Sequence, residues 1–340
     1  MIFALSLGVL SILGVSSAGR ASTQLVVTRQ DSTRTGFIEK VDPSNGLTVK
    51  QADAKFVFKW PHVEMTHDSS TDDVYVIAFP DDYPGPVLYQ MDHNLNEIYT
   101  WVNTPYSFFD LQYSANQAAM YGILVTTTYG RALSNFTLDQ KADTVTASEL
   151  YTLPYMWYVN ASSFDTENSR YFALINNFPG FENSTLDQQL IVADFSQDAA
   201  SVKPDVGLFP IASQDMLVQF LTYSDSLRTL FCAGMSFSTA QAQVAIMDQK
   251  TGTVTKRIFE RNATAVGPLM YVPAADALGH AQLTVYVQTS NSPKPVWELW
   301  SLTLQRSVET GDLSGVLSSQ LVNTYSGDDF TFFAGATITK

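Results

Sequence analysis

Tyr223-Ser224-Asp225-Ser226-Leu227-Arg228-Thr229-Leu230-Phe231 reads as a strand end, a polar turn and the start of a strongly apolar strand. A second close copy is Tyr325-Ser326-Gly327-Asp328-Asp329-Phe330-Thr331-Phe332-Phe333. Looser copies run from His67-Asp68 to Val74-Tyr75, from Tyr113-Ser114 to Met120-Tyr121, and from Phe164-Asp165 to Tyr171-Phe172. Tyr271 opens another, with a longer turn before Leu283. The aromatic or His anchors at 67, 113, 164, 223, 271 and 325 are separated by 46, 51, 59, 48 and 54 residues. A repeat of about 50 residues built from strands and turns predicts an all-β fold, a β-propeller whose blades are four-stranded sheets. Six anchors predict six blades, with seven as the alternative.

Working outward from each anchor, the second strands read as Val74–Phe79, Met120–Thr126, Tyr171–Ile175, Leu230–Gly234 and Leu283–Gln288. They are rich in β-branched and aromatic residues and bounded by turn formers. Third strands follow at Val87–Asp92, Ala132–Asp139, Gln189–Asp194, Gln243–Asp248 and Trp297–Leu304. The third-to-fourth turns are clearest at Val41-Asp42-Pro43-Ser44-Asn45-Gly46 and Met247-Asp248-Gln249-Lys250-Thr251-Gly252. Asp and Asn hydrogen-bond within such turns, and Gly accepts the positive φ they demand. This Asp-x-x-(Thr/Asn)-Gly pattern resembles that of the quinoprotein-like and YVTN-like propeller repeats, and the resemblance extends to the repeat framework only.

The two ends complement each other. Gly36–Asp42 and Leu47–Gln51 supply outer strands with no anchor before them. Leu321–Ile338 supplies the Tyr325 anchor and a second strand with nothing after. Joining them makes a sixth blade and pairs edges that would otherwise be open. Gln24–Thr28 is a further strand candidate, which leaves the split of that blade open between two-plus-two and three-plus-one.

Residues 1–18 are uncharged, with an apolar run from Ile2 to Val15 followed by Ser16-Ser17-Ala18. This predicts a cleaved signal peptide, a mature single domain over 19–340, and a secreted, extracellular protein. The run is short for a membrane span. The chain carries 33 acidic against 19 basic residues, a formal charge of −14, which argues against nucleic acid and anionic membrane surfaces as partners. Cys232 is the only cysteine, so no intrachain disulfide forms. Its apolar strand setting predicts a buried, inert thiol. Glycosylation sequons stand at Asn135, Asn160, Asn183 and Asn262.

No nucleophile elbow, zinc helix, phosphate loop or paired cysteine ligands occur in the sequence. Of the four histidines, His67 takes an anchor position, which predicts packing. Glu64 and Asp110 both lie three residues before an anchor, so neighbouring innermost strands bring them to one layer of the channel. They are the candidate ligands of a divalent cation such as Ca²⁺, although Ala161, Phe220, Pro268 and Val322 at the same offset offer none. Asn160, Gln219 and Asn323 are one register away and would contribute only from irregular strands. No cofactor is certain.

The blade-joining segments and the second-to-third connections should open on one face. They carry Trp60, His62, Tyr83, Trp157 and Phe178, the candidate ligand-binding residues. The expected function is a secreted, monomeric binding module that recognises a small molecule, a glycan or an extracellular protein on this aromatic, acidic face. A metal-dependent hydrolase using Glu64 and Asp110 is the alternative. A structural matrix or cell-surface component is the second alternative.

Overall fold

In a computed structural model, the described residues are 23–30, 35–52, 56–57, 64–78, 85–102, 104, 107–125, 130–153, 157–177, 187–195, 204–211, 215–236, 238–273, 280–290, 294–307, 313–326 and 331–338. The chain starts inside the blade that closes the ring, with β1 (Gln24–Gln30), β2 (Thr35–Val41), β3 (Thr48–Gln51) and the short β4 (Phe56–Val57). Five complete antiparallel blades follow. The first holds β5 (Glu64–Asp68), β6 (Asp73–Ala78), β7 (Val87–Met91) and β8 (Glu97–Trp101). The second holds β9 (Ser107–Ser114), β10 (Ala119–Val125), β11 (Arg131–Asp139) and β12 (Thr144–Leu153). The third is β13 (Trp157–Asp165), β14 (Arg170–Asn177), β15 (Asp187–Asp194) and β16 (Asp205–Pro210). The fourth is β17 (Met216–Ser224), β18 (Thr229–Ser236), β19 (Gln241–Met247) and β20 (Val254–Asn262). The fifth is β21 (Ala265–Val272), β22 (Gln282–Ser290), β23 (Val296–Arg306) and β24 (Leu313–Ser326). Finally β25 (Thr331–Ile338) returns to pair with β1, giving the closing order β25-β1-β2-β3 with β4 beside β2.

The protein is thus a six-bladed β-propeller, closed by its two ends. Gln24 lies opposite Ile338 and Gln30 opposite Thr331. The main path of the blade takes one C-terminal strand and three N-terminal ones, with the short β4 a fourth N-terminal strand beside β2, and Gln24–Gln30 is the second strand of the blade. One sequence expectation is corrected here. Tyr325 is not an anchor, because Leu313–Ser326 is the outermost strand of the fifth blade, paired along β23 with Tyr325 opposite Trp297. The true sixth anchor position is Thr337, which faces Leu25 as Tyr223 faces Leu230 and Tyr113 faces Met120. Threonine there hides the repeat from an aromatic search. Tyr325 instead donates its hydroxyl to the Gly46 carbonyl (2.7 Å), and Asn323 Nδ2 donates to the same oxygen (3.0 Å). A ring that clamps the next blade's turn resembles an anchor in sequence but sits at the rim.

The core is divided into six seams. On β6, Val74, Val76 and Ala78 pack with Val26 and Ile38 of the closing blade. The alternate residues Tyr75 and Ile77 pack with Phe108, Leu111 and Met120 of the second blade. The same alternation sends Tyr121 and Ile123 towards Phe164 and Tyr171, and Phe172 and Leu174 towards Met216 and Tyr223. Phe231 and Ala233 face Leu269 and Leu283, while Tyr286 and Trp297 face Leu25 and Val27. Successive side chains of a strand point to opposite sheet faces, so a strand buried on both faces reads as a continuous apolar run. This explains the unbroken burial along β6.

Much of the acidity sits in turns. Asp42 accepts from Ser44 N (2.8 Å), Asp92 from Asn94 N and Asn96 N (2.8 Å each), Asp139 from Lys141 N (2.8 Å), and Asp248 from Lys250 N (2.8 Å). Each pre-forms a third-to-fourth turn.

Candidate functional site: the central channel

The innermost strands β5, β9, β13, β17, β21 and β25 stand side by side around the axis. Adjacent members are tied by a recurring bond one residue before the anchor. Tyr113 N donates to Thr66 Oγ1 (3.0 Å), and Tyr223 N donates to Ser163 Oγ (2.8 Å). Between the second and third blades, Gln112 Nε2 reaches Ser162 Oγ (3.0 Å), which itself donates to the Asp110 carbonyl (2.9 Å). These side chains satisfy strand-edge groups that the curvature of the ring leaves unpaired by backbone.

The anchor rings belong to the seams. Tyr113 stacks on Tyr75 of the preceding blade (centroids 6.2 Å apart), Phe164 on Tyr121 (5.8 Å), and Tyr223 tilts against Phe172 (5.4 Å). His67 fits the packing expected of it. It is half-buried, its Nε2 lies 3.0 Å from Asp72 Oδ1, and burial lowers its pKa against the opposing pull of Asp72. It is therefore mostly neutral at pH 7.

At the anchor end the channel widens into a cavity of about 410 Å³ with walls from all six blades. Its polar lining is mostly hydroxyl and amide, from Thr66, Gln112, Ser162, Ser163 and Thr222 with Tyr113, Tyr223 and Tyr271 between them, and includes the His67 imidazole. Ser226 Oγ and Tyr271 Oη lie 2.5 Å apart at the rim. Among the described residues Asp225 is the one carboxylate in the lining; its Oδ1 accepts Thr166 N (2.9 Å), and burial raises its pKa. No Lys or Arg lines the cavity among the described residues. The signal for these residues in the sequence lies one place before four of the six anchor positions, where Thr66, Gln112, Ser163 and Thr222 are polar; Met270 and Ala336 precede the other two.

Further along the channel the innermost strands are irregular. β9, β13, β17, β21 and β25 each carry a register shift three or four residues before the anchor position. Asp110 lies in the β9 bulge with φ +53°, a left-handed conformation that Asp tolerates better than most residues. Its carboxyl is buried, which pushes its pKa up to about 7. Asn160 and Gln219 are the extra residues of the β13 and β17 bulges, so the irregularity a polar layer needs is present. The Gln219 Oε1 is buried without a hydrogen-bond partner among the described residues. Glu64 opens β5 opposite Ile77, at the same offset from its anchor as Asp110.

Of the expected ligand-binding residues, Trp157 opens β13 at the end opposite the anchors. Trp60, His62, Tyr83 and Phe178 lie outside the described residues. Residues 1–18 and Asn183 also lie outside them. Asn135 is half-buried in the middle of β11, whereas Asn262 ends β20 and is exposed. Cys232 is fully buried in β18, with its thiol pKa pushed up to about 12 by desolvation, so it is inert as expected. Among the described residues no helix is long and apolar enough to cross a membrane.

No protein-family model and no curated protein matches the sequence. Solved structures match its shape. The chain aligns with one from the crystal structure of a nidogen/laminin complex over 93% of its own length and 98% of the other, at 9% identity and a TM-score of 0.54. It aligns with TolB from Acinetobacter baumannii over 94% of its length and 67% of that chain, at 11% identity and a TM-score of 0.52. At such identities the likeness extends to the fold alone: this chain is similar to other β-propellers in architecture.

Proposed function

We propose that the protein is an exported binding module that takes a small neutral ligand, or the terminal group of a glycan, into its central channel. The observation that supports this reading is the cavity of about 410 Å³ at the anchor end. A volume in this range suits a small organic ligand. The hydroxyl, phenol and amide lining suits an uncharged, hydrogen-bonding one. An anion would meet Asp225 with no cation to compensate it. Thr222→Trp fills the cavity without removing a seam residue. It should abolish binding to a panel of neutral sugars and polyols, read by calorimetry, while leaving the unfolding temperature close to that of the parent. Parent protein that binds none of the panel, or a Thr222→Trp variant that binds as well as the parent, would overturn the reading.

The residues expected from the sequence to bind a ligand, Trp60, His62, Tyr83, Trp157 and Phe178, are the competing site for the same module. Single Ala replacements there should leave binding unchanged if the anchor-end cavity is the site. At a ring that contacts the ligand, truncation costs on the order of 1–3 kcal/mol of binding. Such a loss in two or more of them would move the site to those residues.

A metal-dependent hydrolase is supported by one observation, the buried Asp110 carboxyl in a left-handed bulge, since strained and desolvated acids concentrate at functional sites. Glu64 and Asp110 would hold the cation. The unfolding temperature should then rise with Ca²⁺ and fall with chelator, and Asp110→Asn should abolish the response. Indifference to both additions removes this reading.

A further inference from the structure

Among the described residues the anchor-end cavity has a single carboxylate, Asp225, in the turn between β17 and β18. It reaches across to the third blade. There its Oδ1 accepts Thr166 N (2.9 Å) and, at the limit of a hydrogen bond, Glu167 N (3.5 Å), both from the turn between β13 and β14. Its own turn is closed by Arg228 N donating to the Asp225 carbonyl (3.1 Å). The carboxyl group is thus held from two blades, and one oxygen is committed. No described residue donates to the other, Oδ2. Burial raises the pKa, and the like charges of Asp165 and Glu167 add to this against the pull of the two amides. Such a carboxylate is shielded from bulk water and still has an acceptor to offer.

An ionised carboxylate has about four lone-pair directions on its two oxygens. The two amides take those of Oδ1, and the pair on Oδ2 remains. Two acceptor directions on one atom suit two hydroxyl donors carried side by side. We propose, on the basis that this cavity is the ligand site, that Asp225 sets its specificity: Oδ2 accepts both hydroxyls of a vicinal diol on a neutral sugar or cyclic polyol. The hydroxyl and amide groups of Thr66, Gln112 and Thr222, in the same lining, match the remaining hydroxyls of such a ligand. An alkylammonium would satisfy the charge of Asp225 and leave those groups without partners.

Calorimetry on the full chain tests this with a panel of methyl pyranosides and, for whichever binds, the form deoxygenated at each position in turn. In the parent, removing either hydroxyl of one adjacent pair should weaken binding by about ten- to hundredfold, the range for a lost hydrogen bond to a charged group, and removal elsewhere by less. Asp225→Asn keeps an Oδ1 for the Thr166 amide and turns the second oxygen into a donor. It should lose at least as much affinity for the sugar, no longer distinguish the sugar from those two deoxy forms, and unfold at the parent's temperature. If the variant does not fold, the deoxy series in the parent decides: the absence of an adjacent pair of sensitive positions overturns the proposal. A folded Asp225→Asn that discriminates among the deoxy forms as the parent does also overturns it, and leaves the cavity as the ligand site. A parent that binds no sugar overturns both readings. Tighter binding of methylguanidinium than of any sugar, lost in Asp225→Asn, would assign Asp225 to a cation and overturn the diol.

Discussion

At the scale of single residues, three backbone positions carry testable consequences. Asp110 has its folded pKa raised from 3.8 to about 7 by burial. Below pH 4 it is protonated in both states and has no effect. Between about pH 4 and 7 only the unfolded chain ionises, so stability is lost across this window and then levels off. At about 1.4 kcal/mol per unit the full difference is of order 4 kcal/mol, an upper bound. Asp110→Asn keeps a residue tolerant of left-handed φ and removes the titration. Relative to the parent it should gain stability from pH 4.5 to 7.5, measured by chemical unfolding in chelator; a difference independent of pH contradicts the assignment. Ala118 and Gly46 make an opposed pair. Ala118 sits at φ +48° in a first-to-second turn, and Ala118→Gly should stabilise by about 0.5–1 kcal/mol by relieving left-handed strain. Gly46 sits at φ +69°, and a Cβ there would come 2.4 Å from Asn323 Cβ. Gly46→Ala should cost roughly 1–3 kcal/mol. Denaturant midpoints moving the same way for both would contradict the turn geometry.

At the scale of elements, the sheets hold because each strand serves two seams. β1 sends Leu25 and Val27 to the fifth blade and Val26 to the first. Its pairing with β25 brings the last element of the chain against the first. Deleting 331–340 removes the innermost strand of the closing blade, opens the β1 edge, and interrupts the ring between β21 and β5. The truncated chain should lose the parent's cooperative thermal transition and its near-ultraviolet dichroism instead of showing a small drop in melting temperature. Retention of the parent's transition would mean that the ring is stable open.

At the scale of the molecule, stability comes from closure and packing, since a single buried thiol offers no crosslink. Export would put this disulfide-free ring outside the cell, where the acidic surface favours solubility. Protein from its native source should begin near Gly19 and carry glycan on Asn262, which is exposed, in preference to half-buried Asn135. N-terminal sequencing and site-resolved mass spectrometry check both; an intact Met1 with unmodified Asn262 would refute export by this route.

The sequence by itself determined the propeller architecture, the turn chemistry and the closure by paired termini, while the count of six blades, reached partly through the false anchor Tyr325, was fixed by the strand pairing. These rest on local signals: the two-residue alternation of strands, Asp-capped turns, and a repeat of about 50 residues carried by real anchors at 67, 113, 164, 223 and 271. Only the tertiary structure decided which strand Tyr325 belongs to. An aromatic followed by a turn has the same local pattern whether it ends an innermost strand or clamps a neighbouring turn at the rim, and the pairing of β24 with β23 distinguishes the two. It also decided the polar ring around the channel. Thr66, Gln112, Ser163 and Thr222 are ordinary strand residues in sequence, and they become one cavity wall because ring closure brings together positions about 50 residues apart. Local chemistry specifies strands and turns; the convergence of separate strands on one axis is a property of the closed ring.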